Sequence, residues 1–99
     1  MFEIGFNDSG AVQLSGRLDA AQAPHAQAFL DRVSSGPCTL DLGGLEYISS
    51  AGLGVLLKTH KRLMAGSKGL ALVNVNTHII DIFRYSGFDK LFDIQAQQP

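Results

Sequence analysis

The sequence predicts a small α/β domain built on a mixed sheet of four to five strands. Three observations carry this reading. Short apolar stretches of strand length alternate with longer stretches of helical period. Gly, Pro, Asn and Ser cluster at each change of period, where turns are needed. The chain has 99 residues, 45% of them hydrophobic, enough for one core and no more. The expected order is ββαβαβα(β), a single domain over residues 1–99 with the helices on one face of the sheet.

Phe2-Glu3-Ile4-Gly5-Phe6 alternates apolar with small or polar residues, as a half-buried strand does. Asn7-Asp8-Ser9-Gly10 is turn chemistry, and Ala11 to Gly16 reads as the returning strand of a hairpin. Leu18 and Asp19 lead into a first helix, with Pro24 near its first turn and a stripe of Ala26, Phe29, Leu30 and Val33. Ser34-Ser35-Gly36-Pro37 ends that helix. Cys38 to Leu42 is a third strand and Gly43-Gly44-Leu45-Glu46 a loop.

The second helix spans Ser50 to Ala65. Leu53, Leu56, Leu57, His60, Leu63 and Met64 share its apolar face, and Lys58, Lys61 and Arg62 lie off it. Gly66-Ser67-Lys68-Gly69 stops it, and Leu70 to Val73 is a short buried strand. Asn76 is placed to cap a third helix carrying Ile79, Ile80, Ile82 and Phe83, which Gly87 ends. Leu91 to Ile94 is a last strand or turn, and residues 95–99 form a fraying tail. Crossover helices after the second, third and fourth strands require parallel neighbours.

The bulk numbers exclude several classes. A net charge of −1 and a pI near 6.2 give no general attraction to nucleic acid or to anionic membrane. One cysteine, Cys38, rules out an internal disulfide and fits a reducing compartment. The opening Met-Phe-Glu-Ile-Gly-Phe lacks the pattern of a signal peptide, and no apolar run has the length of a membrane span. A cytoplasmic domain without membrane insertion is expected.

The most informative stretch is Tyr47-Ile48-Ser49-Ser50-Ala51-Gly52-Leu53-Gly54-Val55. A pair of serines stands where the chain leaves a strand and starts a helix. Unpaired backbone N–H groups and the positive end of the helix dipole converge there. A hydroxyl at that point can act as a helix cap, a catalytic nucleophile or a phosphate acceptor. Gly54 weakens an isolated helix, and Val55 lies roughly opposite the leucine stripe. An exposed valine beside a glycine one turn from Ser50 suggests close approach by another chain, although single exposed apolar residues are ordinary.

Other candidates read as structural. His60 sits inside the apolar stripe, and His25 and His78 share no metal-ligand spacing with it or with Cys38. Cys38 begins a buried strand and reads as a small core residue. Lys58, Lys61 and Arg62 read as a solvated face. Gly66-Ser67-Lys68-Gly69 follows a helix and precedes a strand, the reverse of a phosphate loop. Asp41 fits either a bond near the serine turn or the solvent face of the sheet. No cofactor and no metal is implied.

Taken together, Leu14-Ser15-Gly16-Arg17-Leu18-Asp19, Leu40 through Gly54, Leu70-Ala71-Leu72-Val73-Asn74 and Tyr85-Ser86-Gly87-Phe88 resemble the STAS family. The resemblance is greatest to the free-standing bacterial anti-sigma factor antagonists and covers nearly the whole chain. It implies a partner switch. The unphosphorylated antagonist binds an anti-sigma factor, a serine kinase of the histidine-kinase-like ATPase type, and frees a sigma factor or another sequestered target. Phosphorylation ends the complex and a metal-dependent serine phosphatase resets it. Carried onto this chain, the acceptor is Ser50, with Ser49 as the alternative, because sporulation-type members carry an aspartate where Ser49 stands. Asp19, Ser49, Ala51 and Gly52 are expected around it. The expected partner surface is Arg17, Leu18, Asp19, Ser49, Ser50, Gly54, Val55 and Lys58.

Two other functions compete. A STAS domain can serve as a ligand-binding or assembly subunit of a transporter or stress-sensing complex. A small serine hydrolase using Ser50 is more remote: Ile48-Ser49-Ser50-Ala51-Gly52 lacks the first glycine of a nucleophile elbow, and no motif places a histidine to activate the serine. A non-enzymatic regulator is the reading the residues and the resemblance share.

Overall fold

The computed structural model describes residues 1–33, 38–66 and 68–98. Five strands, β1 (Phe2–Phe6), β2 (Val12–Leu18), β3 (Cys38–Ile48), β4 (Leu70–Val75) and β5 (Asp93–Ala96), form one sheet in the order β1-β2-β3-β4-β5. β1 and β2 are antiparallel and all later pairs are parallel. Helices α1 (Ala23–Leu30), α2 (Ser50–Met64) and α3 (Thr77–Ser86) connect the parallel strands, and a single 3-10 turn at Phe88–Lys90 precedes β5. Three right-handed crossovers stepping in one direction stack all three helices on one face. The expected class, order and layering hold.

Local chemistry explains the joints. At the hairpin the Asn7 side-chain oxygen accepts the N–H groups of Ser9 and Ala11, both at 3.0 Å, and Gly10 takes φ +86°. Pro24 lies in the first turn of α1, where a missing N–H costs no helical bond. Gly87 ends α3 in the left-handed conformation, at φ +79°. The core lies between sheet and helices: Val12, Leu14 and Leu18 of β2, Leu40, Leu42, Leu45 and Ile48 of β3, and Leu72 and Val75 of β4 meet Ala26, Leu30, Leu56, Leu63, Ile79 and Phe83.

Five expectations need correction. Gly43-Gly44-Leu45-Glu46 is not a loop but the middle of β3. β4 pairs with β3 only as far as Asp41↔Val73, whereas β2 stays with β3 to Leu18↔Ile48, through two register shifts. A side chain at Gly44 would meet Ser15 Cβ at 2.9 Å, and one at Gly43 would collide with the Asn74 amide, so the glycines let the strands close up there. Asp41 secures the parting: its Oδ1 accepts the Gly43 N–H at 2.9 Å and Asn74 Nδ2 at 3.2 Å, with Asn74 at φ +58°.

The tail also begins later than Gln95. β5 runs through Ala96, and the Gln97 N–H donates to the Val75 carbonyl at 2.8 Å. The expected end of the first helix, at 34–37, lies outside the described residues, as does Ser67 in the expected stop of the second.

Val55 is buried rather than exposed, with 6% of its surface accessible. α2 packs on α1 as well as on the sheet, so it needs two buried rows. Val55 and Thr59, one turn apart, form the second. Thr59 accepts a hydrogen bond from Gln27 Nε2 of α1 at 3.4 Å. Arg62, next along, donates to the Leu30 and Val33 carbonyls at 2.9 Å each. Arg62 therefore caps the end of α1 and is more than a solvated cation. Met64, expected on the core stripe, is the last helical residue and is 55% exposed. His60 packs as expected: Nδ1 accepts the Leu70 N–H at 2.9 Å, and its ring stands edge-on to Phe92 at 4.9 Å.

Candidate functional site

The serine turn joins β3 to α2. Ser49 is extended, at φ −86° and ψ 173°, and its Oγ accepts the Gly52 N–H at 3.2 Å. Ser49 is therefore the cap, and its own N–H donates to the Leu18 carbonyl at 2.9 Å. That bond ties the start of α2 to the end of β2. Ser50 is the first helical residue, is exposed, and makes no side-chain hydrogen bond among the described residues. One serine is used by the fold and the next is left to solvent.

Gly52 makes this approach possible. A Cβ there would lie 2.8 Å from Ile48 Cγ1 and 2.9 Å from both Leu18 Cγ and the Leu18 carbonyl oxygen. Glycine alone lets the first turn of α2 rest against the ends of β2 and β3. Gly54, one half-turn on, faces open space: nothing lies within 4 Å of its added Cβ. Ser50, Ala51, Gly54 and Lys58 are all exposed along the outer side of α2. No acidic side chain occupies the first turn of α2, so none within the helix offsets its terminal positive potential.

Asp19 follows Leu18, at the same end of the sheet. Its Oδ1 accepts the Gln22 N–H at 3.1 Å, and its backbone carbonyl accepts the N–H groups of Gln22 and Ala23. The carboxylate thus shapes the turn into α1, one residue from the Leu18–Ser49 bond. Arg17 is exposed, and its guanidinium lies 4.4 Å from the Tyr47 ring centroid, its cross-strand partner. Leu18 is fully buried, its side chain packed beneath Gly52; with Val55 it is removed from the expected partner surface. The remaining exposed set is Arg17, Ser50, Ala51, Gly54 and Lys58, with Asp19 and Ser49 half-buried beside it.

Sequence reasoning missed Tyr47 as the support of Arg17. The available signal was register: each stands one residue before a buried strand-end residue, Leu18 or Ile48. It also missed Asn74, whose positive φ no local pattern announces.

Two of the histidines have other partners. His60 is engaged by the Leu70 N–H, and His25 stands edge-on to Phe2 at 5.9 Å. The cleft beside His60, about 550 Å³, is lined by Met64, Leu70, Leu91 and Asp93 among others and by neither serine. Cys38 is buried, which pushes its thiol up against a smaller opposing pull from Arg62. Among the described residues no group of three His, Cys, Asp or Glu could hold a metal, and no helix is long and apolar enough to cross a membrane.

A mixed β1-β2-β3-β4-β5 sheet, helices on one face and an exposed serine at the start of a helix define a small α/β domain. The family model described as Mlab, STAS domain matches residues 5–94, and the chain belongs to the STAS domain family. It is 38% identical over 84 residues to BtrV of Bordetella bronchiseptica, named as a candidate anti-sigma factor antagonist; the match covers 82% of this chain and 72% of that protein. An anti-sigma factor antagonist from Mycobacterium paratuberculosis superposes with TM-score 0.77 at 23% identity, covering 96% of this chain and 84% of that one. SpoIIAA of Bacillus, an anti-sigma factor antagonist, superposes at 0.71 in its unphosphorylated form and 0.65 in its phosphorylated form, with 18% identity in each case. The match covers 95% of this chain in both and 87% and 90% of those chains. At these identities the superpositions establish the shared fold.

Proposed function

We propose that this protein is a phosphorylation-controlled partner switch with Ser50 as its acceptor. Unphosphorylated, it binds an anti-sigma factor that is also a serine kinase of the histidine-kinase-like ATPase type, and so frees a sigma factor or other sequestered target. Transfer of phosphate to Ser50 ends the complex, and a metal-dependent serine phosphatase restores it. The protein itself is a binding partner and substrate rather than an enzyme, and it works in the cytoplasm.

The observation that carries this reading is the division of labour at the serine pair. Ser49 Oγ is taken by the Gly52 N–H, whereas the Ser50 hydroxyl is exposed at the first position of α2. A phosphate on Ser50 adds a charge of about −1.5 to −2 at pH 7. At a helix N-terminus the domain accepts that charge without melting. A partner seated over Ser50, Ala51 and Gly54 must instead desolvate it, at a cost of several kcal/mol. Each 1.4 kcal/mol is tenfold in affinity, so this is enough to dissociate a tight complex. The kinship with BtrV and the antagonist folds supports the same assignment.

The test is phosphosite mapping after incubation with ATP and the organism's ATPase-type serine kinases, with binding measured in parallel. Ser50→Ala is expected to bind the kinase and to take no phosphate. Ser50→Asp is expected to keep the native circular dichroism spectrum and to lose affinity by tenfold or more. Phosphate retained on Ser50→Ala reassigns the acceptor to Ser49. An unfolded Ser50→Asp refutes a switch confined to the surface.

A further inference from the structure

The two edges of the sheet are defended differently. β5 carries Asp93 and Gln95, and its pairing with β4 is broken by a register shift. These features discourage pairing with another chain. β1 is Phe2-Glu3-Ile4-Gly5-Phe6, with one charge, no proline and an unbroken register against β2. Phe6 on this edge is 66% exposed, with its ring 5.3 Å from that of Phe29.

The hydrogen bonds at its two ends show which groups the free edge offers. The Arg17 N–H donates to the Met1 carbonyl at 2.9 Å, and the Asn7 N–H donates to the Ala11 carbonyl at 2.8 Å. Bonding residues alternate along an antiparallel strand, so Met1, Glu3, Gly5 and Asn7 turn toward β2. Phe2, Ile4 and Phe6 therefore turn their N–H and C=O groups outward. From this edge we infer that the protein associates with a second copy of itself, the two β1 strands pairing antiparallel about a two-fold axis through Ile4.

That register uses every outward group. Phe2 pairs with Phe6 of the other copy, Ile4 with Ile4, and Phe6 with Phe2, so all outward N–H and C=O groups find partners. The exposed Phe6 ring gains a cross-strand aromatic neighbour. The charge pattern suits the same axis. Glu3 falls opposite Gly5, not opposite a second Glu3, so no like charges meet. Each contact occurs twice, residue i meeting j as j meets i, as a two-fold interface requires. α2, which carries Ser50, makes its main contacts with α1, β3 and β4.

Gly5 supplies the test, because an added Cβ there meets nothing within 4 Å and its φ is ordinary. Gly5→Lys would face Glu3 of the other copy twice in the dimer, and Gly5→Glu would place like charges there twice. Sedimentation equilibrium on the full chain, from low micromolar to near-millimolar concentration, reads the dimer constant. Circular dichroism checks that each variant is folded. The expected result is a dimer about tenfold tighter for Gly5→Lys and about tenfold weaker for Gly5→Glu, with the gap shrinking in high salt. Amide exchange at Phe2, Ile4 and Phe6 should slow as wild-type concentration rises. A wild-type chain that stays monomeric over the whole range overturns the inference. So does a dimer whose constant moves the same way, or not at all, in the two variants. Neither result bears on phosphorylation of Ser50.

Discussion

Helices α2 and α3 both begin at the end of a parallel strand, and each begins on a side chain that accepts the N–H three residues on. For α2 the pair is Ser49 and Gly52, at 3.2 Å; for α3 it is Asn76 and Ile79, at 3.0 Å. The two caps have nearly the same extended backbone. Asn76 does a second job, because its Nδ2 donates to the Leu45 carbonyl at 2.9 Å and locks α3 to β3. Ser49 has no second arm. Beyond the caps both helices leave their first two residues in solvent, Ser50 and Ala51 in α2 and Thr77 and His78 in α3; α2 then exposes Gly54 as well, whereas α3 turns Ile79 and Phe83 into the core. Similar caps thus start a helix fastened to β3 by its cap side chain and a helix whose cap side chain makes no such bond. What separates them is the size of the residues around the cap and what packs on them.

The largest effect expected from breaking this comparison is at Asn76. Asn76→Ala removes a cap and the donor to a buried carbonyl, and should cost about 2–3 kcal/mol in denaturant unfolding. Ser49→Ala should cost about 1 kcal/mol, since only a cap is lost. Equal losses would show that the Leu45 bond contributes nothing. Gly52→Ala comes between them. Its methyl group has no room against Ile48 and Leu18, and overpacking there should cost about 2 kcal/mol despite the better helix propensity. Gly54→Ala sharpens the contrast at the other extreme. With open space around it, alanine should stabilise the domain by about 0.5–1 kcal/mol, read as a raised Tm. On the proposed partner switch, the same substitution should weaken binding of the kinase, because it adds a methyl group within the proposed docking surface. A variant that is more stable and binds equally well would remove Gly54 from the docking surface.

Much of this was legible from local pattern. Asn76 as a cap, Gly87 as a stop, Pro24 in a first turn and His60 as a packed ring depend on neighbours a few residues away. Position within a short segment settles such features. The element order was legible too, because changes of hydrophobic period coincide with turn residues. Val55 was misplaced because helical period describes one buried face, and α2 has two neighbours. Gly43 and Gly44 looked like a loop because glycine pairs usually punctuate; here they bring β3 close to Ser15 and to Asn74, residues distant in sequence. Arg62 looked solvated until Leu30 at the end of α1 and Val33 beyond it supplied carbonyls.

The residues by themselves determined the alternation of strands and helices, the presence of a serine pair at a strand-to-helix junction and the kinship that makes the pair meaningful. They could do so because propensity, capping and period act over one or two turns of chain. Which serine caps and which stays free, which glycine is wedged and which is bare, and which helix carries two buried rows were settled only when separate segments packed together. Those outcomes depend on distances between atoms far apart in sequence, and no local preference encodes them.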